Sequence, residues 1–179
     1  MIKKLWKIYN NNNSLYYILQ SLNKLYIIYN TNGTLNVSEL QYILCYDCKI
    51  KVLVLRNYRN ITVLQNFLKI NDTLTTLNLQ ILNKNDILLL LSDRVINNNT
   101  IIILNLSYSK RICYLDLTQI ITKSNSIQTL DISHILLSNN SNLDKFFNAL
   151  MQNTILTSIN MKCYELSVFK KCWSSILSI

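Results

Sequence analysis

Five cysteines and a single histidine are the residues of this chain whose chemistry could reach beyond packing. Cys45-Tyr46-Asp47-Cys48 has the C-x-x-C spacing that opens a structural zinc site or a dithiol redox centre. Zinc needs four ligands, and Cys163 and Cys172 lie far downstream at the wrong spacing to complete the set. Cys45 falls on the apolar stripe of a predicted helix, which makes it core filler. The odd number of cysteines, with Cys113 as the fifth, speaks against a disulfide framework and for reduced thiols in an intracellular protein. His134 stands three residues after Asp131, and imidazole with carboxylate could form an acid–base pair. No nucleophile, ligand set or phosphate-binding loop accompanies them, so His134 reads as a turn residue. The expectation is no enzyme, no metal and no cofactor.

The elements that position these residues come from a repeated phrase. Asn71-Asp-Thr-Leu74-Thr-Thr-Leu77-Asn-Leu79 has the apolar spacing L-x-x-L-x-L, a turn leading into a short strand with alternate side chains on one side. The phrase recurs with first apolar residues Leu22, Ile50, Leu74, Ile101, Ile127 and Leu156, at intervals of 28, 24, 27, 26 and 29 residues. A near-constant period of this length is the signature of a solenoid whose units each add one strand and one return element.

Between phrases the apolar spacing turns helical. Val37, Leu40, Ile43 and Leu44 share one helical face, as do Leu64, Phe67 and Leu68. Ile87, Leu90, Leu91 and Val95 repeat the pattern, and so do Leu143, Phe146, Phe147 and Leu150. Asn36, Asn60, Asn85 and Asn142 precede these runs as cap candidates. In the 101–126 unit, Ile112-Cys-Tyr-Leu115-Asp-Leu117 also matches the strand phrase, but a unit that short has no room for a helix. The spacing therefore predicts a helix over Tyr114 to Lys123. Terminal units must cover the core edge and should differ from the rest. We expect residues 1–21 to form an N-terminal helical cap, 22–166 the repeats and 167–179 a closing helix, all in one domain.

Composition limits the function classes. Half of the 179 residues are hydrophobic, yet the longest strong apolar run, Ile87 to Leu91, is far short of the roughly 20 residues a spanning helix needs. Met1 to Asn13 carries no recognisable secretory signal, which argues for an intracellular, cytoplasmic protein without a membrane partner. One glycine and no proline leave turns to Asn, Asp and Ser, which tolerate left-handed backbone better than other non-glycine residues. Enrichment in Ile, Asn, Lys and Tyr is what an AT-rich genome produces, such as that of a large DNA virus, a protist or a bacterium; a viral protein would act in the host cytoplasm. The net charge is +9, of which residues 1–60 hold +6. That basic end could attract nucleic acid or an acidic surface. No recognisable nucleic-acid module accompanies it, so a solvated basic cap is the simpler reading.

The phrases Asn-x-Thr-Leu-x-x-Leu-x-Leu at 71–79, Asn99-Thr100-Ile101, Ser124-Asn125-Ser126-Ile127 and Gln152-Asn153-Thr154 resemble the leucine-rich repeat family. Units of 24–29 residues with full helices are similar to its ribonuclease-inhibitor-like class, also found in innate immune sensors. The resemblance spans Leu22 to Leu166 and departs in one respect. The Asn or Cys usual three residues past the strand is Asn30 in the first unit but Tyr58, Leu82, Ser109, Ile135 and Tyr164 in the others. What the resemblance implies is an α/β solenoid of about six repeats, with parallel strands on a concave face and helices on a convex face. It also implies the binding of other macromolecules.

On that face two columns of side chains would stand, Tyr26, Val54, Asn78, Asn105, Asp131 and Asn160, then Ile28, Arg56, Gln80, Ser107, Ser133 and Lys162. Tyr26, Ile28, Val52 and Val54 form an apolar patch at one end, and apolar residues at exposed strand positions suggest contact. Tyr26, Ile28, Val52, Val54, Arg56, Asn78, Gln80, Asn105 and Asp131 are therefore the expected partner-binding residues. The expected partner is a protein met by a monomer or weak dimer. Recruitment to a ubiquitin-ligase or immune assembly, or nucleic-acid binding by the basic end, are the alternatives.

Overall fold

The computed structural model describes residues 4–9, 15–21, 24–29, 50–56, 61–80, 95–109, 112–135 and 142–162. Eight strands form one sheet in chain order: β1 (Lys4–Tyr9), β2 (Leu15–Ser21), β3 (Lys24–Tyr29), β4 (Val52–Arg56), β5 (Thr76–Gln80), β6 (Ile103–Asn105), β7 (Thr129–Asp131) and β8 (Ser158–Asn160). From β3 onward each neighbour is parallel. Three helices are described, α1 (Ile61–Ile70), α2 (Tyr114–Lys123) and α3 (Leu143–Gln152). A parallel array alternating with helices is an α/β, solenoid-type architecture.

The strand phrase packs by its three apolar positions. The first, Ile50, Leu74, Ile101 and Ile127, lies just ahead of each strand and is buried. The second, Leu53, Leu77, Leu104 and Leu130, and the third, Leu55, Leu79, Leu106 and Ile132, are buried in the same core. The helices meet them with Leu64, Phe67 and Leu68 from α1, Leu117, Ile120 and Ile121 from α2, and Phe146, Phe147 and Ala149 from α3. Strand alternation thus sends the leucines to the helical side and leaves the intervening residues on the opposite face. Successive units are also clamped in a regular way. The carbonyls of Lys51, Thr75, Ile102 and Gln128 each accept two successive backbone N–H groups of the following unit.

A side-chain staple recurs three residues before the first apolar position. Asn71 Oδ1 accepts from Thr73 N at 3.2 Å and Leu74 N at 2.7 Å. Asn98 Oδ1 accepts from Thr100 N and Ile101 N, both at 2.9 Å, and Asn153 Oδ1 takes Ile155 N and Leu156 N. Ser124 Oγ does the same for Ser126 N and Ile127 N. The amides of Asn98 and Asn153 reach back about one repeat to donate to Leu68 O of α1 and Ile121 O of α2, carbonyls late in those helices. These side chains satisfy backbone groups that a buried turn would otherwise orphan. The sequence phrase that starts at Asn99 is therefore one residue late, since Asn98 makes the staple. Past the strand, where the repeat resemblance expects Asn or Cys, Ser109 Oγ donates to Leu79 O at 3.4 Å.

Where a helical cap over 1–21 is expected, the described residues 4–9 and 15–21 are strands instead. β1 and β2 pair antiparallel from Lys4↔Gln20 to Tyr9↔Leu15, and β2 pairs antiparallel with β3. Leu5, Ile8, Leu15, Ile18 and Leu19 have helical intervals, but Lys-Leu-Trp-Lys-Ile-Tyr and Leu-Tyr-Tyr-Ile-Leu-Gln-Ser are short segments rich in aromatic and β-branched residues. Such runs suit a pleated surface, and the bonding edge of β3 gives them a template that local spacing does not reveal. The predicted helix at Tyr114 to Lys123 is α2 with those bounds. Leu64, Phe67 and Leu68 lie buried on α1. The helical runs at Val37–Leu44 and Ile87–Leu91, the caps Asn36, Asn60 and Asn85, the Cys45/Cys48 pair and the closing helix at 167–179 lie outside the described residues.

Candidate functional site

The face opposite the helices carries three in-register rows. The first runs Lys24, Val52, Thr76, Ile103, Thr129 and Ser158. The second runs Tyr26, Val54, Asn78, Asn105, Asp131 and Asn160 across the same pairings. A third pairs Ile28 with Arg56 and Arg56 with Gln80. Val52, Val54, Arg56, Asn78, Gln80, Asn105 and Asp131 thus hold adjacent register positions on one sheet face, and the backbone of β3 pairs Tyr26 with Val54 and Ile28 with Arg56.

Their exposure differs from the expectation. Val54 is only 7 % exposed although it belongs to no part of the helix-side core, and Val52 is half-buried. A central residue of a parallel sheet has a neighbouring strand about 4.8 Å away on either side, which covers its flanks. Exposure moves to the strand ends, where Arg56 lies open. The apolar residue that does face outward is Ile103, 39 % exposed in the first row. Its signal in the sequence is an isoleucine at a position that the two flanking units and the last fill with Thr or Ser.

Asn105 and Asp131 are engaged at home. Asn105 Oδ1 accepts from Ser107 N at 2.8 Å, and Asp131 Oδ1 accepts from Ser133 N at 2.9 Å. Asn105 Nδ2 donates to Asp131 Oδ2 at 3.5 Å. Each is an Asx turn that ends its strand after three residues. Asn78 occupies the same row, but its buried Oδ1 makes no hydrogen bond. Beyond the Asx turns the chain enters the left-handed region at Tyr108, φ 61°, and His134, φ 56°. The only glycine is Gly33, elsewhere, so bulky residues take this conformation at a cost of about 1 kcal/mol each. The bonds Tyr108 N to Ser133 O, 3.1 Å, and His134 N to Lys162 O, 2.8 Å, carry the ladder one step past the strands. Equal register then stacks the two rings, with centroids 4.6 Å apart and planes 9° from parallel. Such a pair contributes about 0.5–1.5 kcal/mol, enough to offset part of the backbone cost.

In fold the chain is similar to the solved structure of "Leiomodin-1 Actin-Binding Site 2 (ABS2)", with a TM-score of 0.62 over 79 % of this chain and 86 % of that one. Identity is 16 %, so the likeness is one of fold. No family profile matches the chain, and no curated protein matches it.

The Asp131 carboxylate is held by Ser133 N and Asn105, while the His134 imidazole lies on the Tyr108 ring. Among the described residues no three His, Cys, Asp or Glu side chains converge on a metal-sized site, and no helix is long and apolar enough to cross a membrane. Cys113 sits at the start of α2, where its N–H and its thiol both donate to Asp116 Oδ2, at 3.0 and 2.9 Å. Burial, and then the hydrogen bond to Asp116, push the thiol above its ordinary value, which keeps it protonated and weakly nucleophilic. The ring pair is the feature the sequence reading missed. Its signal was a shared phrase, Asn105-Leu-Ser-Tyr108 and Asp131-Ile-Ser-His134.

Proposed function

We propose that this chain is a non-enzymatic protein-interaction module, a leucine-rich-repeat solenoid of about six units of the ribonuclease-inhibitor-like kind, which binds a protein through the concave sheet face. The observation that carries the reading is the continuous register of Val52, Thr76, Ile103, Thr129 and Ser158 across five strands. Parallel strands hold these side chains at fixed spacing, so little ordering entropy is lost when a partner docks. The fold likeness to a structure titled an actin-binding site supports a binding role of this architecture. It does not transfer actin as the partner.

The test is affinity capture on the purified chain, with partners identified and washed at low and high salt. Ile103→Asp combined with Ser158→Arg changes two exposed face positions and spares the core. A protein retained at high salt by the wild type and lost by that double variant is the expected result. Retention unchanged in the folded variant removes the sheet face from the function. Nucleic acid released by salt would move the activity to the basic N-terminal third.

A further inference from the structure

The ends of the strands carry a second pattern, at right angles to the rows. At the strand ends Arg56 pairs with Gln80, Lys162 stands in the last unit, and Tyr108 and His134 follow one residue past the matching positions Ser107 and Ser133, so that the five line one rim in two adjacent register positions. Arg56 and Lys162 are exposed cations at its two ends. Tyr108 is 53 % exposed between them, with its ring set parallel to that of His134. The Asp131 carboxylate, three residues before His134, is held by Ser133 N and Asn105.

We propose that this rim binds an extended acidic peptide segment of the protein partner, laid across the strand ends with an apolar side chain on the Tyr108 ring. The inference deepens the interaction-module reading and rests on it. Four strand steps separate the two cations, a span on the order of 19 Å at the usual strand spacing. About six extended residues cover that distance. Carboxylates at the two ends of such a segment meet Arg56 and Lys162, and its centre meets an exposed tyrosine, a residue type enriched in binding hot spots. A single-stranded nucleic acid fits less well, because it presents a phosphate at every nucleotide and the rim offers Gln80, Tyr108 and His134 between its cations.

The ring's placement can be tested without disturbing the turn. Tyr108→Gly adopts φ 61° freely and removes the ring alone. The probes are fluorescein-labelled octapeptides with Asp at both ends and Leu-Phe at the centre, their Lys-ended counterparts, and an oligothymidine of similar length. Anisotropy titrations use the full chain. The Asp-ended peptide is expected to bind most tightly, to lose about tenfold or more in affinity with Tyr108→Gly, and to yield to the Lys-ended peptide when Arg56→Glu and Lys162→Glu are combined. No binding of the Asp-ended peptide, equal binding of both peptides, tighter binding of oligothymidine, or indifference to Tyr108→Gly each overturns the proposal. The Ile103/Ser158 capture result is read separately. Capture lost there with an inert rim leaves the module standing and removes only the rim, whereas capture indifferent to it sinks the face reading itself.

Discussion

β5 and β6 are neighbours with the same asparagine in the same row, yet they end differently. Asn78 is followed by Leu79 and Gln80, which continue a five-residue strand paired with β4 as far as Arg56↔Gln80. Asn105 is followed by Leu106 and Ser107, and its side chain captures Ser107 N to close a three-residue strand. The first asparagine keeps the strand running and leaves its own Oδ1 without a bond. The second stops the strand and turns the chain into the left-handed region at Tyr108. An Asx side chain can compete with the ladder for a backbone donor, and which one wins depends on what the neighbouring strand offers. The β4–β5 pairing therefore runs on to Arg56↔Gln80, whereas β6 and β7 are closed by Asx turns after three residues.

That comparison can be broken first at the core, where the two sides should be alike. Leu77→Ala and Leu104→Ala remove fully buried side chains from one shared cluster, and each should cost about 2–5 kcal/mol in denaturant unfolding. A large inequality between them would mean that the two sides fold as separate units. The turns should separate them next. Asp131→Ala frees Ser133 N and Asn105 Nδ2 together, with an expected loss of about 1–3 kcal/mol. Asn78→Ala removes an acceptor that has no partner and should stay within roughly 0.5 kcal/mol of wild type. Equal losses for the two variants would refute the account of the strand ends.

Tyr108 sharpens the contrast at smaller scale. Glycine there relieves the left-handed strain but forfeits the stack and loosens the unfolded chain. The terms nearly cancel, so stability should change by less than about 1 kcal/mol, whereas Tyr108→Ala keeps the strain and should lie below it. The smallest effect belongs to Cys113. Its raised value means that the folded state holds the thiol proton more tightly than the unfolded state does. The resulting stabilisation is present below the ordinary value of 9.0 and is lost as pH rises through the folded value. Asp116→Asn should speed labelling of Cys113 by a disulfide reagent at pH 8, and stability scans above pH 9 should flatten relative to wild type.

The leucines were legible because their role is repetitive. Leu53, Leu77, Leu104 and Leu130 recur at intervals tied to one strand per unit, and all are fully buried. The same logic placed α2, since Tyr114, Leu117, Ile120 and Ile121 make a helical stripe that needs only a core to face. The binding face was legible as a set of positions and not as a surface. Val54 is apolar and on that face, yet neighbouring strands cover it, while Ile103 near a strand end stays open.

By itself the sequence determined the period, the strand phrase and the residues that turn inward, because hydrophobic spacing of this kind has one economical way to be buried. Only the tertiary structure decided that residues 4–9 and 15–21 pair as strands, that Asn98 and not Asn99 staples its unit, and that Asn105 turns the chain where Asn78 does not. Each of those outcomes depends on a hydrogen-bond partner or strand edge supplied by a distant unit, and no local pattern can say whether that partner will be there.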